Sequence, residues 1–286
     1  MAKKTTFVTG AEIFVMGIGG GGSNVVDNMF LSYGSGSDVP RNFWCVNTDG
    51  QALIEINDNA NKLQIGVKTT GGNGSGGDPE TGERAARESE ADIRALLKDA
   101  SMLYITAGMG GGTGTGAAPV IASIARELGV LTLAVVTEPF GFEGVKVAKR
   151  AREGIEKLKG IVDALIVVPN EKLKQYVPKS AGLEDAFKTA DEILARSVRG
   201  VIDVVNTHTR INVDFADIKK LLQDCGTAHI GIGTGKGENK VFDAATEAVK
   251  SPLLETDIRN AKGLIVCITG GETVTFDETD KALMML

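Results

Sequence analysis

Gly108-Met109-Gly110-Gly111-Gly112-Thr113-Gly114-Thr115-Gly116-Ala117-Ala118-Pro119 is the stretch on which the fold turns. It follows an apolar run, Met102-Leu103-Tyr104-Ile105, whose length and composition predict a buried strand. It precedes residues 120–128, apolar at helical spacing and closed by Gly129, which predict a helix. Six glycines in nine residues between a strand end and a helix start are costly in entropy. Without Cβ atoms the backbone can curl so that several N–H groups converge, and the helix dipole adds partial positive charge there. The guest such a loop suits is a phosphate chain, with the Thr113 and Thr115 hydroxyls on offer beside it. The bland alternative is a flexible turn without a ligand.

Upstream, Glu12-Ile13-Phe14-Val15-Met16 predicts a first strand running into Gly17-Ile18-Gly19-Gly20-Gly21-Gly22-Ser23-Asn24 and a helix from Val25 to Phe30. Residues 17, 19 and 22 satisfy Gly-x-Gly-x-x-Gly, and a second strand ends in Asn47-Thr48-Asp49. An acid there can take a ribose hydroxyl, so a nicotinamide-dependent dehydrogenase stays open. Against it stands a third glycine-rich loop, Gly71-Gly72-Asn73-Gly74-Ser75-Gly76-Gly77-Asp78-Pro79, before a helix beginning near Glu80. Three such loops can meet at the carboxyl edge of one parallel sheet, whereas a dinucleotide usually needs one. A P-loop is absent: Gly235-Lys236 is followed by Gly237 and has Ile230 where the first glycine belongs.

Downstream, Leu131-Thr132-Leu133-Ala134-Val135-Val136 and Ala164-Leu165-Ile166-Val167-Val168 predict further strands, the second ending at Pro169-Asn170. Between them Gly141-Phe142-Glu143-Gly144 opens a basic helix to about Lys159, with Glu143 placed either for a ribose hydroxyl or as a helix-start carboxylate. Residues 1–180 therefore predict an α/β domain with a doubly wound, mostly parallel sheet. Residues 183–205 keep 3–4 spacing throughout and predict a helix of roughly 35 Å, the core of a central segment 181–207. Phe187 and Asp191 lie one turn apart on it; periodicity alone makes Phe187 core and Asp191 a solvated face residue. Residues 208–286 predict a smaller α+β domain, with a strand and turn at 226–233, a strand at 263–269 and a helix near Lys240–Lys250. At its start Asn212 can cap a helix, and Asp214 and Asp217 share one face of it.

The chain of 286 residues has a net charge of −6, which argues against a general nucleic-acid or acidic-membrane binder. Cys45, Cys225 and Cys267 lie in apolar sequence without metal-ligand spacing and predict buried thiols in a reducing compartment. No run approaches membrane-spanning length and no signal-peptide core follows Met1, so a cytoplasmic protein without direct membrane insertion is expected.

Gly110-Gly111-Gly112-Thr113-Gly114-Thr115-Gly116, with Thr106-Ala107-Gly108-Met109 before it and Ala117-Ala118-Pro119 after it, resembles the signature loop of the tubulin/FtsZ superfamily. The likeness is nearest to its bacterial and archaeal FtsZ branch and extends from about Ile13 to Glu278. It implies a Rossmann-like GTPase domain, GTP or GDP with Mg²⁺ held mainly through phosphates, and head-to-tail self-assembly in cell division. Membrane-tethering division proteins are the further partners implied; a shape or segregation filament and a non-polymerising nucleotide-binding module are the alternatives. The resemblance assigns phosphate and ribose contacts to Gly20, Gly21, Gly22, Ser23, Asn24, Gly74, Gly76, Gly108, Gly110, Gly111, Gly112, Thr113, Gly114 and Thr115. It assigns a ribose contact to Glu143, a nucleoside contact to Asn170, the base to Phe187 and guanine reading to Asp191. Asn212, Asp214 and Asp217 match the loop that enters the neighbouring subunit's pocket, where the aspartates polarise the attacking water. The chain departs from the family pattern at Val147 and Gly71, where arginines are usual, and at Thr209 and Arg210. Arg150 follows Val147 almost a turn later, and the chain ends at Leu286, short of the further strands and tail peptide the family pattern carries.

Overall fold

The computed structural model describes residues 11–33, 42–177, 180, 182–206, 214–254, 261–271 and 273–285. Seven strands form one sheet: β1 (Ile13–Ile18), β2 (Phe43–Asn47), β3 (Asn61–Gln64), β4 (Met102–Gly108), β5 (Leu131–Glu138), β6 (Ala164–Pro169) and β7 (Gly226–Ala228). Their order is β3-β2-β1-β4-β5-β6-β7, and every neighbouring pair is parallel. Strand order reverses between β1 and β4, so the loops leaving those two strands flank the crevice where doubly wound sheets take ligands.

The unbroken apolar runs follow from burial on both faces. Along β4, Met102 and Tyr104 join one core cluster, while Leu103, Ile105 and Ala107 join the other. The first cluster is roofed by α1 (Gly19–Tyr33), α9 (Leu183–Asn206) and α10 (Phe215–Leu222), through Val25, Met29, Ile193, Val198 and Ile218. The second lies under α4 (Pro79–Glu88), α5 (Glu90–Leu97), α6 (Thr113–Glu127) and α7 (Val145–Lys159), through Ala85, Ile93, Ile121 and Leu158. Each fully buried Leu, Ile or Met of these clusters contributes about 1.5–3 kcal/mol against the entropy of ordering.

Short helices α2 (Gly50–Glu55), α3 (Val67–Thr70) and α8 (Asn170–Leu173) complete the sheet domain, while α11 (Lys240–Val249) and α12 (Phe276–Met285) belong to the C-terminal region. Two expectations fail there. Residues 263–269 form no strand: no ladder partner stands beside them among the described residues, and Leu264, Val266 and Ile268 face solvent while Ile265 packs on the core. An apolar extended run without a partner strand is not a sheet. Cys225 and Cys267 are exposed, and only Cys45 is a buried thiol, pushed up to about 12 by desolvation.

Candidate functional site

Four strands deliver the site from one edge of the sheet. The turn after β1 and the loop after β4 are packed into each other: Gly19 has φ +74°, and a Cβ there would lie 2.9 Å from the Gly114 nitrogen. The third glycine-rich loop is fastened beside them. Gly50 N–H donates to the Gly72 carbonyl at 3.1 Å. The Ser75 and Thr113 hydroxyls lie 3.1 Å apart, and Thr113 is 2.7 Å from the buried Thr48 hydroxyl. Residues 71–77 are thus a fixed wall rather than a loose loop.

This stitching divides the glycine-loop residues into two sets. Gly22, Ser23, Gly110, Gly112, Thr113, Gly114 and Thr115 are buried and build the loops. The Ser23 hydroxyl donates to the Gly17 carbonyl, and Thr115 Oγ1 accepts the Gly110 N–H at 2.8 Å. Both threonine hydroxyls also hold the cradle together: Thr115 Oγ1 accepts from Gly110, and Thr113 lies within bonding distance of Thr48 and Ser75. Gly20, Gly21, Asn24, Gly76 and Gly111 are exposed, with Gly74 and Gly108 half-buried. A Cβ on Gly20 or Gly111 would meet nothing within 4 Å, so these positions border open space.

Helix starts mark where a negative group fits. Asp49 caps α2 by accepting from Gln51 and Ala52 N–H, and Asp78 caps α4 by accepting from Glu80 and Thr81 N–H. Asp49 is therefore committed to a helix end, which removes the one residue that favoured a dinucleotide ribose. The start of α6 is different: its N-cap residue is Gly112, with no side-chain cap bond. Its first N–H groups have no acceptor further back in the helix, and the dipole's positive end faces the cradle.

From the ends of β5 and β6 and from the first turns of α9 come the remaining candidates. Phe140 is buried and stacks on Phe142 with centroids 5.2 Å apart; Phe187 meets it edge-on at 5.3 Å. Phe187 is 38% exposed, so the expectation of a core residue is corrected: it is the open side of an aromatic cluster. Glu143 accepts the Phe140 N–H at 2.8 Å and so closes its own turn. Asn170 is buried, and its Oδ1 has no partner among the described residues. Asp191, four residues after Phe187, is mostly buried rather than solvated, and desolvation alone pushes its carboxyl from 3.8 up to about 7. A desolvated carboxylate and an amide oxygen without a donor leave hydrogen-bond demand that a polar planar ligand can meet.

Asp214 and Asp217 are exposed at the start of α10, away from these groups; Asn212 lies outside the described residues. The end of α10 leads to Gly226, whose N–H bonds the Asp163 carbonyl at 2.9 Å where β6 begins, the sheet edge opposite the cradle. Helix α9, between the sheet's last long strand and α10, has 24 residues and is roughly 36 Å long. Among the described residues no group of three or more His, Cys, Asp or Glu can hold a metal ion.

Two contacts escape the sequence: the Ser75–Thr113–Thr48 stitch and the bond that Arg150, singled out only for following Val147, donates from α7 to the Gly77 carbonyl. The stitch makes a testable distinction. A Cβ on Gly112 would fall 2.2 Å from Ser75 Oγ and 2.7 Å from the Asp78 nitrogen, so Gly112→Val drives two loops apart. Thr113→Val keeps the volume and loses hydroxyl bonds worth about 1 kcal/mol each. Calorimetric titration is expected to find nucleotide binding abolished by Gly112→Val and weakened roughly tenfold by Thr113→Val.

A family model described as "Tubulin/FtsZ family, GTPase domain" matches residues 12–178, and one described as "FtsZ family, C-terminal domain" matches residues 226–286. Among solved structures, the empty FtsZ dimer of M. jannaschii is 41% identical, with a TM-score of 0.88 over 97% of this chain and 79% of that one. CetZ2 from Haloferax volcanii, solved as a GTPgS-bound protofilament, is 21% identical with a TM-score of 0.72 over 83% of this chain and 73% of that one. CetZ from Methanosaeta thermophila is 16% identical with a TM-score of 0.76 over 96% and 79%. The two CetZ likenesses carry the fold alone.

Proposed function

The chain belongs to the tubulin/FtsZ family and carries its GTPase domain, and from that premise we propose a self-assembling cytoskeletal GTPase whose hydrolytic site is completed between subunits. The observation that supports this reading is that an uncapped helix start and three glycine-rich segments meet where the strands end, while Asp214 and Asp217 are exposed on α10, the helix that leads to the sheet's opposite end. The aspartates beside the cradle, Asp49 and Asp78, are helix caps and are not free to orient water, whereas donors for phosphates are plentiful there. A second subunit stacked head to tail brings Asp214 and Asp217 to the first subunit's nucleotide. Phosphoryl transfer depends mostly on positioning and charge placement, so aspartates supplied in trans act as an assembly switch.

Within the pocket, Gly20, Gly21, Asn24, Gly74, Gly76, Gly108 and Gly111 approach the phosphates and ribose, and the α6 start binds the most charged end. With no cluster of metal-ligating side chains among the described residues, Mg²⁺ would be held mainly by the nucleotide's phosphates and would supply charge neutralisation there. Asn170 and Asp191 take the base, Phe187 lies beside it, and Glu143 fixes the turn at the rim. A division role is proposed on the 41% identity to FtsZ over 97% of the chain. In that role, attachment to the membrane falls to a separate tethering protein.

The test is turnover per subunit across a dilution series, with light scattering recorded alongside. Turnover is expected to rise steeply over the range in which scattering appears, with GTP and not with ATP or NADH. A rate per subunit that stays flat on dilution contradicts a shared site.

A further inference from the structure

The first turns of α7 lie behind two of the three glycine loops. A Cβ on Gly110 would come 2.6 Å from Val147 Cγ1 and 2.9 Å from the Val147 carbonyl oxygen, so the 108–112 loop rests directly on this turn. Three residues on, the half-buried Arg150 donates through Nη1 to the Gly77 carbonyl, joining segments 73 residues apart. The 71–77 loop has other fastenings at its near end and middle, namely Gly72 to Gly50 and Ser75 to Thr113. At its far end, where Gly76 and Gly77 both have positive φ, the Asp78 N–H closes the turn on the Ser75 carbonyl at 3.1 Å, and Arg150 takes the Gly77 carbonyl from outside the loop.

Arg150 is a poor choice for fold stability alone. Its Nε–H is buried without a partner among the described residues, which costs about as much as a hydrogen bond returns. The charges fixed on the neighbouring loops, Asp49 and Asp78, are both negative, and Asp78 is held below its usual range by the Thr81 hydroxyl.

We propose that Arg150 is a positioning residue of the nucleotide site: through the Gly77 carbonyl it holds the 71–77 wall closed on the 108–116 loop. The ligand half of this statement rests on the GTPase reading; the clamp itself does not. A charge-assisted bond to a carbonyl is stronger than a neutral one, so its loss opens the wall more than it weakens the domain.

The experiment compares Arg150→Met and Arg150→Lys with the wild type. In nucleotide-free protein, hydrogen exchange of the 72–78 amides is expected to speed up about tenfold in Arg150→Met and to return toward wild type in Arg150→Lys. With GTP, Arg150→Met is expected to raise KM about tenfold, the effect on KM exceeding that on kcat, with Tm not lowered. Unchanged exchange at 72–78 overturns the clamp whatever the ligand is. A lowered Tm with KM unaltered assigns Arg150 to fold stability and overturns the proposal too. Faster exchange in a protein that fails to turn over GTP leaves the clamp standing and counts against the GTPase reading alone.

Discussion

Asp191→Asn is expected to weaken GTP binding by about 10- to 100-fold while making the empty protein more stable at pH 8. The two effects have one cause. In the empty site the Asp191 carboxyl is raised to about 7 by burial alone. Above that pH the native state holds a desolvated charge with nothing to offset its burial. A folded-state pKa raised above the unfolded value means that the folded protein binds the extra proton between about pH 4 and pH 7. This group's contribution to stability is therefore fully present at low pH and is lost as pH rises through 7. Asparagine has no charge to bury, so the variant is expected to gain on the order of 1–3 kcal/mol over wild type at pH 8 and nothing at pH 4. GTP binding runs the other way. Two adjacent guanine N–H groups need an acceptor on both carboxylate oxygens, an arrangement that an amide satisfies only once. Wild-type affinity should also fall on acidification below pH 7, because protonation turns one acceptor into a donor. Melting curves at pH 5 and 8 together with GTP titrations check all of this. A variant with undiminished GTP affinity would remove Asp191 from the base site.

Asp214→Asn should bind GTP as wild type does and hydrolyse it at least about a hundredfold more slowly. The side chain stands at the N-cap position of α10 yet makes no cap bond, so its loss costs the fold little. Asp217, three residues on, has its carboxylate 3.7 Å from Lys220 in an exposed pair worth little to stability. Because the substitution removes negative charge from the face that would meet a neighbour's phosphates, assembly should persist or strengthen. Mixing the variant with wild type separates shared from private sites: turnover should fall in proportion to the fraction of junctions at which the variant subunit supplies the amide. Intact turnover in pure Asp214→Asn would return the pair to ordinary first-turn helix acids, worth about 0.3–1 kcal/mol each.

Legible in the sequence is whatever has a local signature. The loops at 17–24 and 108–116 announce themselves through glycine spacing, and α9 through its 3–4 periodicity. Strand β3 escapes such a reading because Asn61-Lys62-Leu63-Gln64 is a half-exposed edge with no apolar alternation. Helices α4 and α5 are parted at Ser89, whose hydroxyl accepts the Gly66 N–H, a partner 23 residues away that no window on the sequence contains. The same limit hides the Thr48–Thr113–Ser75 stitch and the Arg150 bond, and with them the part of Thr113 as a strut of the cradle. Residues 263–269 fail in the opposite direction. Their composition suits a strand, but a strand is a relation between two segments, and the described residues supply only one. Burial of Asp191 is likewise invisible, since charge predicts exposure and only the surrounding packing reverses it.

In the proposed head-to-tail row, sites shared between neighbouring subunits carry an arithmetic. A contact that joins unlike surfaces does not close on itself, so each assembly has two unlike ends. One end presents a pocket that no neighbour has completed, and the other presents aspartates with nothing to act on. Complete sites then number one fewer than subunits. A pair works at half the rate per subunit of a long row, and the end that lacks a neighbour keeps its triphosphate. In such a row the age of each junction would be written in the state of its nucleotide, giving the row a direction in time as well as in space.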